Sequence, residues 1–254
     1  MFWLRRHGTD RGSSRETEQQ VETLKTALAK CRSMAARGRQ VYREHLAAVA
    51  LLMLGFGAVI GAYRAPIKQA AIGLFYAGAE GGYSAYQKGN YGVALERLRP
   101  LAENGDARAQ STLGLIYYRG GRGVPRNDSD ALKWFRLAAS QGDTDAEFNL
   151  GVMYADGQGV PQDDAEAARW YRRAADKGNA RAQYNLGLWY AKGSGGAPDY
   201  VRAYIWFNLA AARFPESDMR DRSAAVGSRD AMAARMTSDQ IAAAQRQSSA
   251  WQPK

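Results

Sequence analysis

The nearest this chain comes to a reactive constellation is two runs of carboxylates, Asp143/Asp145/Glu147 and Asp163/Asp164/Glu166. Two acids held several ångströms apart could cleave a glycosidic bond, one protonating the leaving oxygen and the other serving as nucleophile or base. The same runs admit a plainer reading. Each stands just ahead of an apolar-periodic stretch, where carboxylates accept the orphan amide hydrogens of a helix start. Other chemistry is poorly supplied. His7 and His45 are the only histidines and Cys31 the only cysteine, so residues 46–254 hold neither type. A histidine base, a cysteine nucleophile or a Cys/His metal site is therefore excluded from that stretch. No G-x-S-x-G or S-x-x-K occurs to supply an activated serine. The Gly-rich turns Gly120–Pro125, Gly157–Pro161 and Gly193–Pro198 lack the G-K-[ST] ending of a phosphate loop. No catalytic residue, cofactor or metal is expected, and the chain reads as non-enzymatic.

The elements around those residues recur. Leu113-Gly114, Leu150-Gly151 and Leu186-Gly187 follow one another at steps of 37 and 36 residues, and Trp134, Trp170 and Trp206 at 36 and 36. A period of this size marks stacked helix pairs rather than a single globular core. Within the second unit, the spacing predicts a helix A over about Thr144 to Asp156 and a helix B over about Asp164 to Lys177. Asp106, Asp143 and Asn179 are expected to cap the A helices; Asn127, Asp163 and Asp199 cap the B helices. Ala109, Ala146 and Ala182 stand where two helices must come close. Glycine inside a helix costs about 1 kcal/mol relative to alanine. Its recurrence at 114, 151 and 187 implies a steric demand from the crossing helix B. Tyr117, Tyr154 and Tyr190 join the tryptophans as large bodies for the inter-helix core.

The repeated pattern A-x-x-x-L-G-x-x-Y-x-x-G-x-G-V-P, then A-x-x-W-[FY]-x-x-A-A-x-x-G, resembles the Sel1-like repeat family, relatives of the tetratricopeptide repeat. Ala109 to Asp143, Ala146 to Asn179 and Ala182 to Phe214 carry it. The resemblance implies an all-α, right-handed solenoid with helix A on its inner face. Tyr83 to Asp106 reads as a degenerate first pair in which Arg97 replaces the tryptophan. Phe214-Pro215 replaces the glycine of the earlier repeats, so the regular array is expected to end there. Thr237-x-x-Gln240 is a capping box for a last helix through Gln247, and Trp251 is expected to fold back onto the array. The expected organisation is a polar tail over 1–45, a membrane helix over 46–63, a linker over 64–76, the degenerate pair over 77–106, three repeats over 107–214 and capping helices over 215–254.

Leu46 to Tyr63 carries no charge over 18 residues, about 27 Å as a helix against a hydrocarbon core of about 30 Å. Lys30, Arg32, Arg37, Arg39 and Arg43 outnumber Arg64 and Lys68 across the span. The positive-inside bias then keeps the N-terminus cytoplasmic and places the repeats in the periplasm of a bacterial envelope. If Met34 were the true start, the same segment would read closer to a cleaved signal peptide with the same destination. Gly57 and Gly61 form a G-x-x-x-G pair through which two spans could dimerise. In the tail, Val21, Leu24, Leu28, Cys31 and Ala35 keep a 3-4 spacing over too few heptads for a coiled coil. Net charge is +10, with ten Lys/Arg against five Asp/Glu in residues 1–45 and 25 against 20 in residues 64–254. So diffuse an excess gives no nucleic-acid partner.

These readings converge on a membrane-anchored scaffold that binds a protein or peptide on the concave face of the solenoid. Asn149 and Asn185, with Thr112 at the same position of the first repeat, are the candidates to hydrogen-bond an extended backbone or to bridge repeats. Gln110, Glu147 and Gln183 are expected to add selectivity. Two alternatives stand beside this one: a peptidoglycan-binding or peptidoglycan-acting envelope protein, and a periplasmic regulator of a membrane sensor. Peptidoglycan-linked relatives depend on paired cysteines, which this chain lacks.

Overall fold

A computed structural model describes residues 79–253 apart from Arg122. The apolar segment Leu46–Tyr63 with Gly57 and Gly61, the basic tail and Cys31 lie outside those residues. The described part of the first helix, α1, covers 79–87. It is followed by α2 (Tyr91–Glu103), α3 (Ala107–Arg119), α4 (Asp128–Ser140), α5 (Thr144–Asp156), α6 (Asp164–Asp176), α7 (Ala180–Lys192), α8 (Tyr200–Arg213), α9 (Met219–Ala233) and α10 (Ser238–Ala250). No strand occurs among the described residues, only an isolated bridge between Gly121 and Val124. Helices α2 to α7 are 13 residues each, about 20 Å long. Among the described residues no helix is long and apolar enough to cross a membrane.

The architecture is an all-α solenoid of antiparallel pairs: α1/α2, α3/α4, α5/α6 and α7/α8. Helix starts are fixed by short oxygen side chains. Asp106, Asp143 and Asn179 accept from the amides of Ala109, Ala146 and Ala182 at 2.7, 2.7 and 2.9 Å. Asn127, Asp163 and Asp199 do the same for the B helices. The carboxylate runs 143–147 and 163–166 are thus helix starts, with Asp143 and Asp163 engaged as caps. Helices α5 and α7 end on Gly157 and Gly193 in the left-handed conformation, φ 69° and 72°, which a glycine adopts without a Cβ penalty.

Inside each pair the recurring glycine receives a ring. A Cβ on Gly114, Gly151 or Gly187 would stand 2.5, 2.5 or 2.7 Å from Cδ1 of Phe135, Tyr171 or Phe207. That residue follows each tryptophan by one. The register extends into the degenerate pair, where a Cβ on Gly82 would stand 2.7 Å from the Leu98 side chain. The tryptophans serve the next level of packing. Trp134 clusters with Ala94, Leu98 and Leu113, and Trp206 with Ala167, Ala174 and Leu186. Each seals its own pair against the one before. The fully buried Ala109, Ala146 and Ala182 permit that closeness.

Consecutive A helices, α3, α5 and α7, come close to one another, while consecutive B helices do not approach to the same degree. The array therefore curves with helix A inside. At its far end α9 and α10 both pack on α8, and Phe214 joins Ala210, Ala211 and Ala225 in a last small cluster. Thr237 and Gln240 form the capping box of α10, which runs a turn beyond Gln247 to Ala250. Trp251 packs back against the cluster of the second and third repeats, with the Arg213 guanidinium 4.2 Å above its ring.

The ring contact makes opposite predictions for two helical glycines. Gly151→Ala forces a methyl into Tyr171, and overpacking outweighs the gain in helix propensity, for a net loss of about 1–2 kcal/mol. Gly227 in α9 has open space around its Cα, so Gly227→Ala is expected to gain about 0.5–1 kcal/mol. Denaturant midpoints followed by circular dichroism separate the two.

Candidate functional site: the helix A groove

The inner curve holds a groove of about 220 Å³. Its walls come from the A helices of three successive pairs: Tyr83, Tyr86 and Gln87 on α1, Arg108, Thr112 and Leu115 on α3, and Asp143 and Asp145 at the start of α5. Each side chain is held by a neighbour. The Arg108 guanidinium lies 3.9 Å over the Tyr83 ring. Arg119 donates to the Tyr86 hydroxyl at 3.1 Å. Asp145 accepts from Asn179 and Arg181 at 3.3 and 3.4 Å, tying the second repeat to the third across the groove edge.

Thr112 lines the groove, and its hydroxyl donates to the Arg108 carbonyl at 2.8 Å. Asn149 sits half-buried at the same place in the next repeat and donates to the Asp145 carbonyl at 2.7 Å. Asn185, also half-buried, hydrogen-bonds the Tyr171 hydroxyl. The three occupy one register along the A helices; Thr112 and Asn149 bond a carbonyl four residues back in their own helix, and only Asn185 reaches another helix.

Gln110, Glu147 and Gln183 require a correction. They do not face a partner: their exposures are 4%, 0% and 0%, and they clip each repeat to the one before. Gln110 Nε2 donates to the Ala102 carbonyl at 2.9 Å and Gln183 Nε2 to the Ala175 carbonyl at 3.1 Å, each carbonyl in the last turn of the preceding helix B. A carboxylate cannot donate, so at Glu147 the arrangement changes. Arg173 reaches the equivalent Ala139 carbonyl at 3.4 Å while its Nε donates to Glu147 at 3.0 Å. Lys177 Nζ lies 2.9 Å from the second carboxylate oxygen and also bonds the Gly142 carbonyl. In the first repeat the place of Lys177 is taken by Gln141, which donates to Gln110 Oε1 at 2.7 Å. A neutral amide pair and an ionic triad thus fill the same volume.

A second clip was legible but unread. Arg99, Arg136 and Arg172 on the B helices donate to the hydroxyls of Tyr117, Tyr154 and Tyr190 on the following A helices, at 2.5, 2.8 and 2.5 Å, always 18 residues apart. The tyrosines are therefore polar anchors as well as apolar bodies. The arginines recur at the repeat period, which is the signal that would have found them. No group of three or more His, Cys, Asp or Glu able to hold a metal occurs among the described residues.

Two tyrosines resist ionisation. Burial, reinforced by the Asp106 carboxylate, pushes the Tyr83 hydroxyl up to about 12. Burial raises Tyr171 still further. Both are ordinary near 10 when unfolded. Their protonated forms therefore contribute stability that is complete below pH 10 and is lost as pH climbs toward 12 and beyond. Absorbance at 295 nm is expected to show a late-titrating tyrosine fraction that disappears together with the helical signal.

The clip at Glu147 predicts a coupling. Lys177→Ala leaves a buried carboxylate short of one cation and is expected to lose about 1–3 kcal/mol. Glu147→Gln restores the amide used by the flanking repeats and is expected to cost less than about 1 kcal/mol. In the Glu147→Gln background the Lys177→Ala penalty is expected to shrink, which a double-mutant cycle in denaturant measures.

Residues 107–143, 144–179 and 180–213 each match the Sel1 repeat. Among solved structures, the chain is similar to a Sel1 repeat protein from Oxalobacter formigenes, at 33% identity over 54% of this chain and 54% of that one, with a TM-score of 0.50. It is also similar to c5321, a protective antigen present in uropathogenic Escherichia coli strains that displays an SLR fold. That match has 29% identity over 87% of this chain and 47% of that one, with a TM-score of 0.58. The chain spans about half the length of each of these proteins. No curated protein matches it. Residues 107–213 are therefore three consecutive Sel1 repeats, each with the glycine-to-ring contact and the capped helix starts described above.

Proposed function

We propose that this chain is an interaction scaffold of the bacterial envelope, anchored by a single membrane span, whose helix A groove holds an extended segment of a protein partner. The observation that carries this reading is the groove itself. It is built from the A helices of three successive pairs, α1, α3 and the start of α5, a face that recurs in sequence on α7. Stacked helix pairs use extended inner surfaces for protein contact. The buried polar groups of the array are largely committed to clips between repeats, whereas the groove edge keeps exposed charges and half-buried amides within reach of a partner. The charge-free run Leu46–Tyr63 and its cationic amino-side flank supply the anchor and its orientation, with the repeats on the periplasmic side. Gly57 and Gly61 give two such anchors a surface on which to pair.

The test uses the full chain in living bacteria. A photo-reactive amino acid at Thr112 or Leu115, inside the groove, is expected to cross-link to a protein. The same group at Arg169, whose side chain is 76% exposed on helix B, is expected not to. Cross-links to glycan alone, or equal yields at both places, would overturn the groove reading. A reporter fused after Lys254 is expected to be active in the periplasm, and a cytoplasmic signal would reverse the topology.

A further inference from the structure

The groove-facing stripe of each A helix carries its charges in an order. On α3 the stripe begins at Arg108 and ends at Arg119. On α5 the same two places hold Asp145 and Asp156, and on α7 they hold Arg181 and Lys192. All six are exposed. Between them, steps of three and four residues keep Thr112, Asn149 and Asn185, then Leu115, Val152 and Leu188, on one side of their helices. Both edges of the groove therefore run positive, negative, positive from the first repeat to the third, over a floor of hydroxyl and amide groups beside a half-buried apolar ridge.

The contacts made by these charges leave room for a partner. Arg108 and Arg119 rest on the neutral tyrosines Tyr83 and Tyr86 rather than in a direct ion pair. Asp145 and Arg181 meet at 3.4 Å with side chains 62% and 53% exposed. A pair so open to water is held weakly and exchanges readily for another ion pair.

We propose that the groove selects an extended segment whose charges run acidic, basic, acidic at intervals of about three residues. The interval follows from geometry. Adjacent packed helices lie about 8–10 Å apart, and a chain extended in polyproline II geometry rises about 3.1 Å per residue with three residues per turn, so side chains three apart share one face about 9 Å apart. An acidic side chain then meets an arginine of α3, a basic one meets Asp145 or Asp156, which stand at opposite ends of α5, and a second acidic one meets Arg181 or Lys192 of α7. The amides at 149 and 185 and the hydroxyl at 112 lie under the segment's backbone. This proposal rests on the groove reading and narrows it from a protein partner to a charge order.

The experiment measures fluorescence polarisation of labelled seven-residue peptides against the full chain purified in detergent. Two peptides of identical composition are compared, E-x-x-K-x-x-E and E-x-x-E-x-x-K, so net charge is constant and only order differs. The first is expected to bind about tenfold more tightly, with the preference shrinking as salt rises. In the double variant Asp145→Arg/Asp156→Arg the preference is expected to vanish, and E-x-x-E-x-x-E is expected to become the tightest ligand. Circular dichroism checks that the variant folds, and Asp145→Asn/Asp156→Asn replaces it if it does not, with loss of the preference as its expected result. Equal binding of the two ordered peptides, abolished by Leu115→Arg, overturns the charge order and leaves the groove reading intact. No binding, or binding that Leu115→Arg does not disturb, overturns both.

Discussion

The array depends on one contact, the seating of a helix B side chain on a helix A glycine. At Gly114, Gly151 and Gly187 the space of a missing Cβ is occupied by the edge of Phe135, Tyr171 or Phe207. This fixes how closely and at what rotation the two helices of a pair approach. Everything further out inherits that setting. The neighbouring tryptophan is turned toward the preceding pair, the fully buried alanines 109, 146 and 182 lie at the junction, and the A helices are drawn together on the inside of the curve. A helix pair of this size buries too little apolar surface to stand alone. Its stability is borrowed from the neighbours on each side, so a fixed approach angle within the pair is what lets successive pairs stack in register.

Polar clips then decide that the register is unique. Apolar faces alone would tolerate sliding, but a buried amide that must find one carbonyl does not. The positions 110, 147 and 183 show how much freedom remains under that constraint. Gln110 and Gln183 donate to the Ala102 and Ala175 carbonyls directly, while Glu147 leaves the Ala139 carbonyl to Arg173 and takes two cations as partners. The geometry survives a change from neutral to ionic because the carbonyl at each junction still receives one donor, from glutamine or from Arg173. The Arg–Tyr bonds from Arg99, Arg136 and Arg172 reinforce the same junction from its solvent side.

Much of this was legible in the residues. Capping positions, the glycine-bearing helix, the end of the array at Phe214 and the capping box at Thr237 are local features, set by neighbours within four residues, and local chemistry reads directly from sequence. The steric role of the glycines was also legible, because a recurring residue that weakens a helix needs a reason. What touches them was not, since the ring one place after the tryptophan looks like any other core residue in the chain order. The misplacement of Gln110, Glu147 and Gln183 has the same origin. A polar residue on helix A reads as solvent-facing until the preceding helix B is laid against it. A glutamine two places off the groove stripe then proves to be buried. The groove floor residues 112, 149 and 185 differ from those clips by only two positions, about half a turn of helix.

That half turn separates two kinds of recurrence. Residues facing the neighbouring pair must satisfy an identical carbonyl in every repeat, so their chemistry is constrained to repeat: amide, acid with a bridging cation, amide. Residues facing the groove have no such obligation, and there the charges at the two stripe ends change sign from α3 to α5 and back at α7. A stacked array built for stability alone would be free to place its exposed charges at either end of any helix. Here both ends of a given helix agree in sign while adjacent helices disagree. The Asp145–Arg181 pair accounts for one contact at one edge, and Asp156 and Lys192 carry the same order at the opposite edge. The variation therefore follows the direction in which an extended chain would cross the helices, which is the direction in which a linear partner presents its own sequence.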